Sequence, residues 1–560
     1  MNHPTQAAPA RSRDWPWRRI FIGVGALLLL NGVLSATSWW PTPLVRPDAR
    51  IAPEFVGLWL VLLALVAATG RLSRRAAAWL TGAYLVLVLW RYIDVTAPSL
   101  FGRHVSVYWD VPQIPRFLWV AARDHAWWQS ALVVAIAAAL LWGLTRMLHA
   151  GITACAREAV PYALTRRWTW GITAGATAMA IANYAGVQAT WPYVSKPVVP
   201  VMLHQFGLVI GAASPTHLAR TLPRADALDA ALTNPQQALA ALAGRDVYLI
   251  FLESVGAVTF DNPRAKAALA PVRAELARTL AASGRHAVSA MFRSPTFGGT
   301  SDLAHLSLLA GIDLTDSRRH DLLVTTQRPT LNTLFRRAGY RTFGLYPAVS
   351  WDWPERSYYE FDVYLEGRNL DYRGPPFGFW FIPDQYSLAR FEAMHPRDAA
   401  AAPRFVTFVT INCHIPFNPV TPYQPDWQRV LGPEPFDAAA VAAAQSTRTR
   451  WLDMFPDYLK LVEYTYRWIE GFLALPEPRD TVFLLVGDHQ PSANVSGEGA
   501  PWDVPVTIIA RDAALLAPLL SRGFGPGLTP PRAPLGGFHD LTPMLLEAFA
   551  GSRSAQVAKR

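Results

Sequence analysis

The apolar residues of this chain fall into two textures. The first third carries unbroken runs, at residues 20–39, 55–70, 76–93, 127–144 and 168–187. Each is close to the ~20 residues that cross ~30 Å of hydrocarbon as a helix. None holds an internal Lys or Glu, and Arg91 lies near the end of its run, where its side chain can snorkel. Aromatic residues gather at the run ends: Trp39, Trp40, Trp90, Tyr92, Trp127, Trp128 and Trp168. That is the belt expected at the two interfaces of a membrane. The pattern predicts a five-helix transmembrane domain over residues 20–188, with 55–70 the shortest span.

From Arg245 onward the texture changes. "DVYLIFLES", "YRTFGLYP", "RFVTFVTINCH", "TVFLLVGDHQ" and "VPVTIIARD" are short, continuous β-branched and aromatic runs. Helical patterns such as "RPTLNTLFRRAG" and "YLKLVEYTYRWIEGFLAL" separate them. Near-continuous apolar strands alternating with helices predict a mostly parallel sheet covered on both faces. Residues 1–19 read as a polar cytoplasmic tail, 189–244 as a connector, 245–550 as the second domain and 551–560 as a closing tail. The loop at 96–125 mixes apolar and basic residues and reads as a segment lying on the membrane surface.

Composition supports that division: the chain is 51% hydrophobic and 16% charged, more apolar than an average soluble protein of 560 residues. Its basic residues set an orientation. Arg11, Arg13, Arg18 and Arg19 precede the first run, Arg71, Arg74 and Arg75 fill the second connection, and Arg146, Arg157, Arg166 and Arg167 fill the fourth. The other loops hold fewer: Arg46 and Arg50 in one, Arg103, Arg116 and Arg123 in the other. The positive-inside rule then places the N-terminus in the cytoplasm, and five crossings deliver everything after Val187 to the outside. The first run is long and is followed by an aromatic pair, unlike a cleaved export signal. Cys155 falls in an expected cytoplasmic loop and Cys413 outside, so the two cannot pair. The net charge of +10 accompanies membrane spans and suits anionic lipid head groups. No basic run interleaved with aromatics is present, which excludes nucleic acid as the expected partner.

In open α/β sheets ligands bind beyond the carboxyl ends of the strands. The residues just past the apolar runs are Glu253, His414 and the pair Asp488-His489. One acid or His in such a place is ordinarily a turn or cap; three on one expected rim point to a site. Glu253, Asp488 and His489 make an O, O, N ligand set, better suited to Zn²⁺ or Mn²⁺ than to Ca²⁺. A catalytic centre of this kind keeps a position open, and a hydroxyl can fill it. "SPTFGGTSDLAHLSLLAG" offers one: Gly298 and Gly299 let backbone approach an anion, and Thr300 stands at a helix start, beside free N–H groups. Thr300 is also a good N-cap, and the two roles are compatible.

These residues carry a resemblance. "FLES", "GGTSD", "WPER", "NCHIPF" and "GDHQP", in that order after five predicted membrane helices, resemble the lipoteichoic acid synthase group. Its members are membrane-bound enzymes of the alkaline phosphatase/sulfatase superfamily. The resemblance implies an extracytoplasmic α/β/α sandwich of alkaline phosphatase/sulfatase type. It implies one divalent metal, Mn²⁺ before Zn²⁺ or Mg²⁺, held by Glu253, Thr300, Asp488 and His489. Thr300 would attack the phosphorus of phosphatidylglycerol, and His414 would contact the phosphate or the attacking oxygen. The Trp-x-Arg element of the group is only partly kept, because Trp353 and Arg356 are separated by two residues. Arg356 would still clamp a phosphate oxygen, while the role of Trp353 stays open. "GGFHDLTPMLLEAF" resembles a late sulfatase segment, which sets His539 either beside the site or in the turn that leads to it. His305, five residues after Thr300, reads as structural.

The implied activity is transfer of a phosphoglycerol or related head group from a membrane phospholipid to a glycan or polymer hydroxyl, through a phospho-threonine. The expected location is the bacterial inner membrane, with the catalytic domain on the periplasmic or extracellular side. Three alternatives are weighed. Phosphoethanolamine transferases acting on lipid A or glycan tend to carry several external cysteines, and this chain has one. Sulfatase-type hydrolases need Cys or Ser at the nucleophile position followed by Pro or Ala and Arg, which "TSDLA" lacks. A non-catalytic lipid-binding regulator would have lost metal ligands that are all present here.

Overall fold

The computed structural model divides the chain into two compact units. One comprises residues 1–39, 43–97 and 105–210, the other residues 40–42, 98–104 and 211–560. The residues described are 16–115, 118, 122, 126–190, 192–212, 222–350 and 353–550. Most of the N-terminal tail, with Arg11 and Arg13, lies outside them, as do Arg116 and Arg123 of the expected surface loop and the tail 551–560.

In the first unit, helices occur at all five apolar runs: Pro16–Ser35, Pro53–Thr69, Arg74–Phe101, Trp127–Ala154 and Arg167–Tyr184. Among the described residues, three helical stretches are long and apolar enough to cross a membrane: Trp17–Ser35, Arg74–Phe101 and Trp127–Thr165. Pro53–Thr69 is apolar but shorter. Arg167–Tyr184 is diluted by Thr169, Thr173, Thr177 and Asn183 and is not among the three. The five expected spans thus reduce to three candidates. Their large apolar side chains face outward, Trp127 at 82% exposure and Phe21 at 74%, as lipid contact requires and water does not favour.

Several local expectations change. The fourth connection is not a loop: the helix continues through a π-helical turn, Cys155–Ala159, into Val160–Thr165, and Cys155 is buried there. Arg91 does not snorkel; it is buried and donates to the carbonyls of Ala36 (3.0 Å) and Lys196 (3.2 Å). The connector begins as an apolar helix, Val198–Ala212. Its N-terminus is satisfied by Glu54, whose Oε1 accepts the backbone N–H of Val198 (2.6 Å) and Val199 (3.0 Å) and the Tyr184 hydroxyl (2.9 Å).

The second unit is built on a nine-stranded sheet. In chain order the strands are β1 Asp246–Leu252, β2 His286–Arg293, β3 Arg341–Tyr346, β4 Val363–Glu366, β5 Arg404–Val409, β6 Thr481–Gly487, β7 Asp503–Ala510, β8 Gly525–Pro526 and β9 Pro534–Gly537. Their spatial order is β8-β2-β7-β6-β1-β5-β3-β4, with β9 also pairing β2. β6, β1, β5, β3 and β4 are mutually parallel. β7 runs antiparallel to both β6 and β2. The sheet is therefore mixed, and one reason lies in the connection from β6 to β7. Residues 488–502 hold only the short helix Ala493–Ser496, too little for a crossover.

Every residue of β1, β5, β6 and β7 is buried, because helices cover both faces. On one face helix Phe455–Ala474 lays Tyr458, Leu461, Val462, Trp468, Ile469 and Phe472 against Tyr248, Ile250 and Leu252, with helix Pro263–Ala282 beside it. Each such side chain contributes roughly 1.5–3 kcal/mol on burial. On the other face helix Ser301–Ala310 rests on β1, with the His305 ring 4.4 Å from that of Phe251. Helix Phe538–Phe549 packs outside it, where Thr542 donates to the Leu308 carbonyl at 2.6 Å.

Candidate active site

The parallel register decides what meets at the rim. Leu252 of β1 pairs with Gly487 of β6, so the next residues, Glu253 and Asp488, emerge side by side. β5 flanks them: Thr410, just past Val409, accepts the Glu253 N–H at 2.9 Å. His414 lies four residues further along that strand end. Strand pairing thus brings Glu253 and Asp488 together, with the end of β5 beside them.

Glu253, Asp488 and His489 are buried, and one ligand atom from each lies within 4.8 Å of the others. Among the described residues this is the one such group. Their orientation is fixed from behind. Asp488 Oδ1 accepts the N–H groups of Ser254 (2.8 Å) and His489 (2.6 Å). His489 Nδ1 donates to the Gln490 carbonyl (2.7 Å), which leaves Nε2 as a lone pair facing Glu253 Oε1 at 3.5 Å. Asp488 Oδ2 is buried with no hydrogen-bond partner. Burial and the Asp488 carboxylate push the Glu253 carboxyl well above its ordinary range. Two buried carboxylates, one with an unpartnered oxygen, and the imidazole Nε2 facing them form a donor set that fits a divalent cation.

Thr300 precedes helix Ser301–Ala310 but does not cap it. Its backbone is left-handed (φ 60°, ψ 44°) and its side chain makes no capping bond. Its hydroxyl donates to the Gly299 carbonyl (2.5 Å) and pairs with that of Thr296. Two other hydroxyls touch the cluster: Ser254 Oγ donates to Glu253 Oε1 (2.7 Å), and Ser301 Oγ lies 3.2 Å from Glu253 Oε2 and 3.1 Å from His489 Nε2. One turn along the same helix face stands His305, buried, with neither ring nitrogen hydrogen-bonded and Nε2 3.6 Å from Asp488 Oδ2. The sequence reading gave Ser301 no role and took His305 as structural, without placing either at the cluster. The signal was the spacing: Ser301 and His305 are i and i+4 and share a face, whereas the spacing was counted from Thr300.

His414 donates from Nδ1 to the Ile415 carbonyl (2.7 Å) and stacks on Phe379 (5.1 Å, 14°), with Trp380 edge-on at 5.7 Å. Burial lowers its pKa to about 4, so the ring is neutral and Nε2 is an acceptor. Trp353 sits in an aromatic cluster with Tyr346, Tyr359 and Tyr364, at the ends of β3 and β4. Arg356 approaches Glu366 at 3.9 Å and lies over the Tyr364 ring. Both occupy the same rim two to three strands from β1, and neither is hydrogen-bonded to the cluster. His539 stands beside Asp540 (3.5 Å), half-exposed at the start of helix Phe538–Phe549, likewise without a bond to the cluster.

Residues 307–551 match the family model described as Sulfatase. That span includes Asp488 and His489 and begins after Glu253 and Thr300. No curated protein matches the chain. Among solved structures, the lipoteichoic acid synthase LtaP from Listeria monocytogenes aligns at 13% identity and TM-score 0.36, over 56% of this chain and 74% of its own. The Streptococcus pyogenes phosphoglycerol transferase GacH, in complex with sn-glycerol-1-phosphate, aligns at 12% identity and TM-score 0.35, over 59% and 82%. The C-terminal periplasmic domain of EptC from Escherichia coli, in complex with Zn, aligns at 14% identity and TM-score 0.31, over 48% and 72%.

Proposed function

We propose that the protein, whose residues 307–551 match the Sulfatase family model, is a metal-dependent phosphotransferase of the bacterial inner membrane. In this reading it moves phosphoglycerol, or a related phospho-head-group, from a phospholipid to a glycan or polymer hydroxyl. The observation that carries the proposal is the buried Glu253–Asp488–His489 cluster, with its unpartnered Asp488 oxygen, beside the Gly-Gly-Thr-Ser turn. The apolar, outward-facing helices of the first unit support a lipid donor. A multi-pass anchor would hold the catalytic domain on the periplasmic or extracellular side.

Glu253, Asp488 and His489 would hold one divalent ion, with Mn²⁺ favoured and Zn²⁺ or Mg²⁺ as alternatives. Such an ion lowers the pKa of a coordinated hydroxyl and offsets charge on a transferring phosphoryl group. Thr300 Oγ1 attacks the phosphorus, the bond to the diacylglycerol oxygen breaks, and the threonine proton ends on diacylglycerol. Turning away from Thr296 and Gly299 is the movement Thr300 needs. Ser301, bonded to Glu253 and His489, fixes the helix start against the cluster. In the second step an acceptor hydroxyl displaces Thr300. His414 Nε2, neutral and free to accept, takes its proton. Arg356 and Trp353, further along the rim, would contact the acceptor or the outer part of the head group, with His539 in a supporting turn.

The test is incubation of the full chain with head-group-labelled phosphatidylglycerol and phosphatidylethanolamine, followed by peptide mapping of the trapped phospho-enzyme. Diacylglycerol release by wild type and its loss in Thr300→Ala are expected, with label on Thr300. Equal release by both proteins overturns the nucleophile assignment, and label on Ser301 moves it by one residue. Release from phosphatidylethanolamine alone makes the protein a phosphoethanolamine transferase.

A further inference from the structure

Residues 98–104, at the end of helix Arg74–Phe101 and just beyond it, group with the catalytic unit and not with the apolar unit that surrounds them in sequence. The contact that holds them is reciprocal. A Cβ on Gly102 would stand 2.1 Å from Cε1 of the Phe297 ring, and a Cβ on Gly298 would stand 2.3 Å from the Phe101 carbonyl oxygen. Both glycines also lie in the left-handed region, at φ 77° and 64°. Each position therefore needs glycine twice over, for space and for conformation. The Phe297 ring is 1% exposed and meets Trp502 at 5.9 Å, so it has no room to swing aside. The Gly298 N–H donates to the Gln490 carbonyl at 3.0 Å, and that same carbonyl accepts His489 Nδ1. The turn from Phe297 to Thr300 is thus gripped from two sides, by the end of β6 and by Phe101–Gly102.

We propose that Phe101–Gly102 is a positioning element for the catalytic turn. It sets where the Thr300 and Ser301 hydroxyls stand relative to Glu253, Asp488 and His489, and touches neither substrate nor metal. The proposal rests on reading that turn as the seat of the nucleophile. It predicts that crowding at Gly102, about 200 residues away in sequence from Thr300, slows the chemical step and leaves the metal cluster intact.

The experiment compares the full chain, purified in detergent, as wild type, Gly102→Ala, Phe297→Leu and the double variant. Three readouts are taken: kcat and KM for diacylglycerol release, the Mn²⁺-dependent rise in Tm, and amide hydrogen exchange of the peptide spanning residues 297–301. Gly102→Ala is expected to lower kcat about tenfold or more, since sub-ångström to 1 Å displacements cost up to ~10²-fold. KM and the Mn²⁺-dependent rise should stay near wild type, and exchange in the turn should quicken. Phe297→Leu, which makes room for the new methyl, should restore most of the rate and protection in the double variant. A wild-type kcat and exchange rate in Gly102→Ala overturn the proposal. So does a loss that Phe297→Leu does not relieve, or one that takes the Mn²⁺ response with it. If wild type releases no diacylglycerol from either lipid, the functional reading fails while exchange still decides the positioning role.

Discussion

Asp384 offers a test of the scaffold behind His414. It opens helix Asp384–Met394 at 1% exposure. Its carboxylate accepts the N–H of Ile411 (2.7 Å) and Asn412 (3.1 Å), and the Asn412 side chain accepts the Asp384 N–H in return (2.7 Å). These bonds tie down the residues that lead to His414. Burial raises the Asp384 pKa to about 7 from 3.8, against the two backbone N–H groups, which lower it. A folded state that holds a proton more tightly than the unfolded chain gains stability below the unfolded pKa. That gain is lost as pH rises through 7. Three units at 1.36 kcal/mol each give a loss of ~4 kcal/mol by pH 8. Asp384→Asn does not titrate and gives up one acceptor, at a cost of ~1 kcal/mol. By pH 5 the wild type has already lost ~1.6 kcal/mol of this contribution, so the variant should be ~0.6 kcal/mol more stable there and resist unfolding by ~3 kcal/mol more at pH 8. Thermal unfolding of the full chain, followed by near-UV circular dichroism at pH 5, 6, 7 and 8, should show the variant's Tm advantage widening as pH rises. Parallel curves would refute the assignment of a buried, proton-binding Asp384.

Other outcomes concern the cluster and its neighbours. Mn²⁺ at ~100 times its Kd should stabilise wild type by ~2.7 kcal/mol and leave His489→Ala unmoved; an undiminished Tm rise in the variant would place the ion elsewhere. His305→Phe keeps a ring against Phe251 and removes two unpartnered nitrogens. Its Tm without metal should hold or rise, while its Mn²⁺ Kd weakens about tenfold through the freed Asp488; an unchanged Kd by calorimetry returns His305 to a packing role. Phe379→Ala uncovers the His414 ring, so the His414 pKa should climb from about 4 toward its ordinary value of 6.5. The acid limb of kcat/KM should then move to higher pH, and a fixed limb would separate His414 from the proton-transfer step.

Much of the second unit was legible because a buried parallel strand is a nearly continuous apolar run with a polar residue where it ends. Glu253 and Asp488 were found that way, and the Leu252–Gly487 pairing brings them together. The same signal is blind to direction. "VPVTIIARD" looks like its neighbours, yet it runs antiparallel, a fact set by the length of the connection before it. Ser301 received no role and His305 a structural one because a helix face is defined by contacts, and Thr300, the residue used as its origin, lies just outside the helix in a left-handed conformation. In the first unit apolarity marked all five helices, and among the described residues three of them belong to candidate spans by length and composition while two do not. Length and threonine content, in Pro53–Thr69 and Arg167–Tyr184, separate the two classes. Arg91 was misplaced because sequence position near a run's end carries no information about the carbonyls of Ala36 and Lys196 that receive it.

The register that sets Leu252 beside Gly487 also orders events in time. Glu253 is synthesised well before Asp488 and His489, and neither half of the cluster holds a complete donor set alone. Under the proposed reading, β1 would wait with a solitary carboxylate until β6 forms and pairs with it. Metal capture would then be coupled to the closing of the sheet, and a chain stalled before β6 would hold no complete donor set.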